Sequence, residues 1–138
     1  MSKQAVQVLL IEDNEVDVEA VRRAFEAKKL ENPIVVAHDG RAGIDALRAG
    51  RVRRPFVVLL DLNLPRMNGL EFLAELRADP ELNDSVVFVL TTSKRDEDKV
   101  AAYRQQVAGY MVKSEIGEAC TKLVDMLSAY WRIVQLPP

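Results

Sequence analysis

The sequence is poor in soft metal ligands and in thiols. Among 138 residues there is one cysteine, Cys120, and one histidine, His38. A lone cysteine excludes an internal disulfide framework and any zinc site built on several thiolates. Charge of one sign is not in excess either. Lys plus Arg is 19 and Asp plus Glu is 21, a net charge of −2. A general nucleic-acid binder is usually basic, so direct nucleic-acid binding is not expected. Long apolar runs are missing. Phe56–Leu60 and Val86–Leu90 are five residues each, too short to span a bilayer. The amino end, Met1-Ser2-Lys3-Gln4, leads through a short apolar stretch into Glu12-Asp13 without a small-residue cleavage site. No signal peptide is read there, and a cytoplasmic protein without membrane association is expected. Neither G-x-x-x-x-G-K-[ST] nor G-x-G-x-x-G occurs, so nucleotide use is poorly supported.

What is present is an ordinary soluble balance, 49% hydrophobic and 29% charged. At 15.5 kDa the chain fits one domain, 1–138, that buries about two-thirds of its unfolded surface. Short apolar runs alternate with amphipathic segments. Strands are expected at Val6–Ile11, Ile34–Ala37, Phe56–Leu60, Val86–Leu90 and Tyr110–Val112. Helices are expected from about Glu15 to Lys28, Arg41 to Ala49, Leu70 to near Asp79, Arg95 to Gln106, and Glu115 to about Val134. Asn14 is a candidate cap for the first helix, and Ser93 for the fourth. Strand–helix repeated five times predicts a doubly wound α/β fold, a five-stranded parallel sheet with helices on both faces. Such sheets bind ligands at the carboxyl ends of their strands.

Glu12 and Asp13 follow the first strand, Asp61 the third, Thr91 and Thr92 the fourth, and Lys113 the fifth. The topology therefore gathers three carboxylates, a hydroxyl and an ammonium at one edge. Clustered carboxylates repel and call for a cation. Mg²⁺ suits all-oxygen ligands. A transition metal would find only Cys120, His38 and methionines as softer ligands. A cation, a carboxylate, a hydroxyl and a lysine together suit phosphoryl transfer to the carboxylate.

These motifs resemble the receiver domain of two-component response regulators, the CheY-like family, over about residues 5 to 130. They are Glu12-Asp13, Asp61-Leu62-Asn63-Leu64-Pro65 with Gly69, Val89-Leu90-Thr91-Thr92-Ser93, and Tyr110-Met111-Val112-Lys113. The steps from Asp61 to Thr91, 30 positions, and to Lys113, 52 positions, agree with that family. The resemblance implies that Asp61 is the phospho-acceptor, and that Glu12, Asp13, Asp61 and the Asn63 backbone carbonyl hold Mg²⁺. It implies that Lys113 and Thr91 assist the transfer and that Thr91 with Tyr110 forms the switch pair. The partner is then a sensor histidine kinase. The Thr-Thr-Ser run, Lys113-Ser114 and Tyr130-Trp131 resemble the stand-alone subgroup paired with bacterial phytochromes. Two positions depart from the common pattern. Ser114 stands where the family usually has proline after a cis bond. A cis bond before serine costs about 3 kcal/mol, so Lys113 has to be held differently. Thr92 stands where a smaller residue is common.

Plainer readings stand beside these. His38 and Cys120 read as structural, and Arg48, Arg51, Arg53 and Arg54 as a solvated cluster at the opposite edge. A flavodoxin-like carrier would find Glu12-Asp13 in its phosphate loop, and an aspartate phosphatase would have an acid where Asn63 stands. The alternative function is a receiver-shaped interaction module that works without phosphorylation. In the last helix Ile116, Cys120, Leu123, Leu127, Tyr130 or Trp131, and Val134 approximate a 3.5-residue repeat. Leu123, Leu127, Tyr130, Trp131 and Val134 are expected to form a homodimer surface, continued by a short apolar tail over about 130–138.

Overall fold

The computed structural model describes residues 5–115 and 120–138. Five strands alternate with five helices: β1 (Gln7–Ile11), α1 (Glu15–Ala27), β2 (Ile34–Ala37), α2 (Gly40–Arg48), β3 (Phe56–Leu60), α3 (Gly69–Ala78), β4 (Val86–Thr91), α4 (Asp96–Arg104), β5 (Gly109–Val112) and α5 (Thr121–Ile133). The sheet is parallel throughout in the order β2-β1-β3-β4-β5. The expected doubly wound α/β fold is the observed one.

The central strand shows why. All five residues of β3 are buried, because alternate side chains feed two separate cores. Phe56, Val58 and Leu60 face one layer, where Ile44 and Leu47 of α2 meet Phe72, Leu73 and Leu76 of α3. Val57 and Leu59 face the other, where Val18, Val21 and Phe25 of α1 meet Leu123, Val124 and Leu127 of α5. Each such side chain contributes about 1.5–3 kcal/mol on burial. The helix starts are fixed locally. Asn14 Oδ1 accepts from the amides of Val16 and Asp17, and Asn68 with Glu71 forms a capping box that opens α3.

Two expectations are corrected. Leu123 and Leu127 are 1% and 0% exposed and belong to the core of their own chain. They cannot form a dimer surface, because their helical stripe is already used against the sheet. Tyr130 packs edge-on against Phe88, with ring centroids 5.2 Å apart, and Trp131 lies 6.2 Å from Phe25. Of the expected seam Val134 is the residue left exposed, beside Ile133, which is not part of it. The last helix also begins later than expected. A 3-10 turn occupies Lys113–Glu115, and α5 starts after Cys120, whose φ of +58° is left-handed. Ile116 and Met1 to Gln4 lie outside the described residues. The arginine cluster is exposed at Arg48, Arg51 and Arg53 as expected, and half-buried only at Arg54. Arg48 pairs with Glu75 and Asp79, and Arg54 pairs with Asp84 while lying over the Phe56 ring.

No helix among the described residues is long and apolar enough to cross a membrane.

Candidate functional site

Parallel pairing brings the ends of β1, β3, β4 and β5 to one edge, and the chemistry-bearing residues stand there. In register, Ile11 lies beside Leu60 and Thr91 beside Val112. The next residues along are Glu12, Asp61 and Lys113. Gly69, at the start of α3, permits the close approach beneath Asp61. A Cβ there would meet the Asp61 carbonyl oxygen and Leu62 Cα, both at 2.6 Å.

The carboxylates of Glu12, Asp13 and Asp61 each offer an oxygen, all within 4.8 Å of one another. Glu12 and Asp61 are buried and Asp13 is exposed, so the cluster opens to solvent on one side. Lys113 Nζ is the cation shared by Glu12, Asp61 and Asp17. It donates to Glu12 Oε1, to Asp61 Oδ2 at 3.3 Å and to Asp17 Oδ2 at 2.7 Å. The Asn63 amide donates to Asp61 Oδ1 at 3.1 Å.

One ammonium does not balance this much negative charge. Burial pushes the Glu12 carboxyl up to about 8, and the hydrogen bond to Asp61 adds to the rise while Lys113 opposes it. Burial also works against charge on Lys113, but its bonds to Asp17 and Glu12 outweigh that and raise its pKa. Glu12 Oε2 is buried with no partner among the described residues. A buried carboxylate with an orphaned oxygen, clustered with two further carboxylates, suits a divalent cation with hard oxygen donors.

The remaining predicted residues flank this centre. Thr91 is fully buried at the end of β4, and its Oγ1 accepts from the Ser93 amide at 3.4 Å. Tyr110 on β5 donates its hydroxyl to the Ser93 carbonyl at 3.0 Å. Thr91 and Tyr110 therefore engage the same peptide segment from opposite ends. Ser93 Oγ donates to Asp98 of α4 and accepts from the Arg95 amide. Thr92 is exposed, and its hydroxyl accepts from the Asn63 side-chain amide at 3.4 Å. His38 is exposed, with Nδ1 3.2 Å from the Glu12 carbonyl. The Lys113–Ser114 bond is trans, since among the described residues only Arg54–Pro55 is cis.

Asp17, which also binds Lys113, is the site neighbour that the sequence does not single out. It sits in the first turn of α1, where an acid reads as a favourable partner of the helix dipole. The one available clue was spacing. Asp17 lies four positions after Asp13 and one turn past the Asn14 cap, which aims it back at the strand edge.

A parallel sheet ordered 2-1-3-4-5, with a carboxylate triad and a lysine at its carboxyl edge, defines a signalling receiver. The comparisons with known proteins agree. The response regulator receiver domain profile matches residues 8–125. Response regulator Rcp1 of Synechocystis sp. (strain ATCC 27184 / PCC 6803 / Kazusa) is 34% identical over 135 residues, covering 94% of this chain and 92% of that protein. The crystal structure of the Mn(2+)-bound form of Rcp1 superposes with a TM-score of 0.84 at 33% identity, over 96% of this chain and 99% of that one. The phosphorylated cyanobacterial phytochrome response regulator RcpA gives a TM-score of 0.87 at 31% identity, over 98% of this chain and 100% of that one. The bacteriophytochrome response regulator AtBRR gives 0.71 at 33% identity, over 99% and 100%.

The chain belongs to the response regulator receiver domain family. Its function is that of a response regulator, a switch in signalling rather than a turnover enzyme, and its acidic triad is of the divalent-cation type.

Proposed function

We propose that Asp61 accepts a phosphoryl group from a histidine of a sensor kinase, and that the resulting charge changes the contacts made through the β4–α4 region. The observation that carries this reading is the placement of Asp61. It is a buried carboxylate at the end of β3, with Glu12 and Asp13 within 4.8 Å and the Lys113 ammonium on it.

Glu12, Asp13, Asp61 and the Asn63 carbonyl would hold Mg²⁺. When bound, that ion supplies charge neutralisation for the equatorial oxygens of the transferring group. The chain's own residues do the rest. An Asp61 oxygen forms the new bond to phosphorus as the bond from phosphorus to the donor histidine nitrogen breaks, and the imidazole keeps that electron pair and takes up a proton. Lys113 stays within reach of the arriving oxygens. Thr91, whose Oγ1 accepts from the Ser93 amide and donates to no partner among the described residues, keeps its hydroxyl proton to donate to them. Movement of Thr91 loosens its hold on the Ser93 amide, and Ser93 is also where Tyr110 and Asp98 bind. A local charge event thereby reaches α4 through one residue.

The phytochrome relatives support a phytochrome-type histidine kinase as the phosphoryl source. Ile133, at 81% exposure, and Val134, at 39%, support a contact with a second copy at the carboxyl-terminal end of α5. Sedimentation at micromolar concentration tests that contact. A monomer both before and after phosphorylation removes it.

The test of the main reading is intact mass after incubation with Mg²⁺ and acetyl phosphate. Gain of one phosphoryl group, lost with EDTA and absent in Asp61→Asn, is the expected result. No gain from acetyl phosphate or from a phytochrome-type kinase would favour an interaction module that works unphosphorylated.

A further inference from the structure

Lys113 carries three N–H donors, and each has a carboxylate partner on a different element: Glu12 after β1, Asp17 in α1 and Asp61 after β3. Two of the three belong to the cation triad. Asp17 does not. Its Oδ2 lies 2.7 Å from Nζ, its side chain is 37% exposed, and its backbone is fixed by the α1 cap.

Lys113 holds one oxygen each of Glu12 and Asp61, so a cation bound at the triad draws on the charge of the same two carboxylates. The ammonium then keeps one partner outside the triad. We infer that Asp17 is a positioning residue for Lys113, holding its ammonium beside the acceptor carboxylate while Glu12 and Asp61 serve the cation. Lys113 opens the 3-10 turn after β5 with a trans bond to Ser114, and its bond to Asp17 adds a side-chain tether from α1. The inference rests on the phosphoryl-acceptor reading, because that reading gives Lys113 its task.

Without Asp17, Lys113 falls back on Glu12 and Asp61. Two measurable consequences follow: Mg²⁺ binds more weakly, and phosphoryl gain at saturating Mg²⁺ slows. Both must vanish when Lys113 is already gone, which separates positioning from a general structural or charge effect.

The experiment is a double-mutant cycle of Asp17→Asn and Lys113→Ala, with Asp17→Glu as the conservative variant. Circular dichroism melts identify any variant that has lost its fold. Mg²⁺ affinity is read by calorimetry, and phosphoryl gain from acetyl phosphate by intact mass. The expected result is about ten-fold weaker Mg²⁺ binding and about ten-fold slower phosphoryl gain for Asp17→Asn beside Lys113. Less than about two-fold change is expected in the Lys113→Ala background, with at least partial recovery in Asp17→Glu. Equal losses in both backgrounds, or unchanged Mg²⁺ affinity beside Lys113, overturn the inference. If the wild-type chain gains no phosphoryl group from acetyl phosphate or from a phytochrome-type kinase, the acceptor reading fails, while the calorimetric arm still decides whether Asp17 governs Lys113.

Discussion

The β3–α3 unit and the β4–α4 unit are built on the same plan and anchored very differently. Every residue of β3 is buried, and α3 buries Phe72, Leu73 and Leu76 behind a capping box. In α4 only Ala102 is buried, and the N-cap residue Arg95 makes no side-chain cap. Val100 and Tyr103 of α4 are 50% and 53% exposed. The first unit carries Asp61 and the second carries Thr91 and Ser93. The proposed acceptor therefore stands on the part of the fold with most apolar burial, and the residues proposed to respond stand beside the part with least. Local stability follows the buried apolar contact of each unit, so the molecule separates holding from yielding by packing alone.

The largest effects break the rigid unit. Phe72→Ala removes a fully buried ring and should cost about 3–5 kcal/mol in urea unfolding. Ala102→Gly in α4 should cost about 1 kcal/mol, mainly through helix propensity. Equal costs would mean that the two units are not differently anchored. Next comes Gly69→Ala. The added Cβ meets backbone of Asp61 and Leu62 at 2.6 Å, and neither atom can swing aside. A loss of about 1–3 kcal/mol is expected, with slower phosphoryl gain if Asp61 is the acceptor, because the strain falls on its own peptide. A variant with wild-type stability and rate would show that this packing does not position Asp61.

Much of this contrast was legible in the residues. A continuous apolar run such as Phe56–Leu60 suits a strand buried on both faces, and the few large apolar residues of 95–106 suit an exposed helix. The strand-end chemistry followed from the alternation, because parallel topology delivers Glu12, Asp13, Asp61, Thr91 and Lys113 to one edge wherever the helices lie. Two things were not legible. The α5 repeat of Leu123 and Leu127 fits a core stripe and a dimer seam equally well, and only the position of the sheet decides between them. Asp17 was masked by a sufficient local explanation, an acid in a helix first turn. Its bond to Lys113, 96 positions away in sequence, is a tertiary fact.

A smaller effect concerns the charge stored at the rigid edge. In the cation-free protein the Glu12 carboxyl rises from an ordinary 4.5 to about 8, chiefly by burial. Between those values the folded state binds a proton that the unfolded state releases, so folding stability falls as pH rises from about 5 to 8. The slope for one proton cannot exceed about 1.4 kcal/mol per pH unit. Asp17, lowered by Lys113 and Glu12 against the opposing effect of its burial, acts only below its ordinary 3.8 and leaves this window alone. Denaturant unfolding in EDTA at pH 5.5, 6.5 and 7.5 should show the decline. Saturating Mg²⁺ should flatten it, because the bound ion keeps Glu12 ionised. A stability that is flat or rising in EDTA over this range counts against a strained Glu12.

The smallest effect sharpens the yielding half. Tyr103→Ser in α4 removes a ring that is half exposed and should change stability by less than about 0.5 kcal/mol. Hydrogen exchange gives the same substitution a second readout. Amides of α4 should exchange by local opening, well below the global unfolding free energy, and those of α3 close to it. In Tyr103→Ser the α4 amides should exchange no more than a few fold faster, and the α3 amides should not change. If the α3 amides also loosened, α4 would be part of the same cooperative unit as Asp61, and the division between a holding half and a yielding half would fail at the helix that defines it.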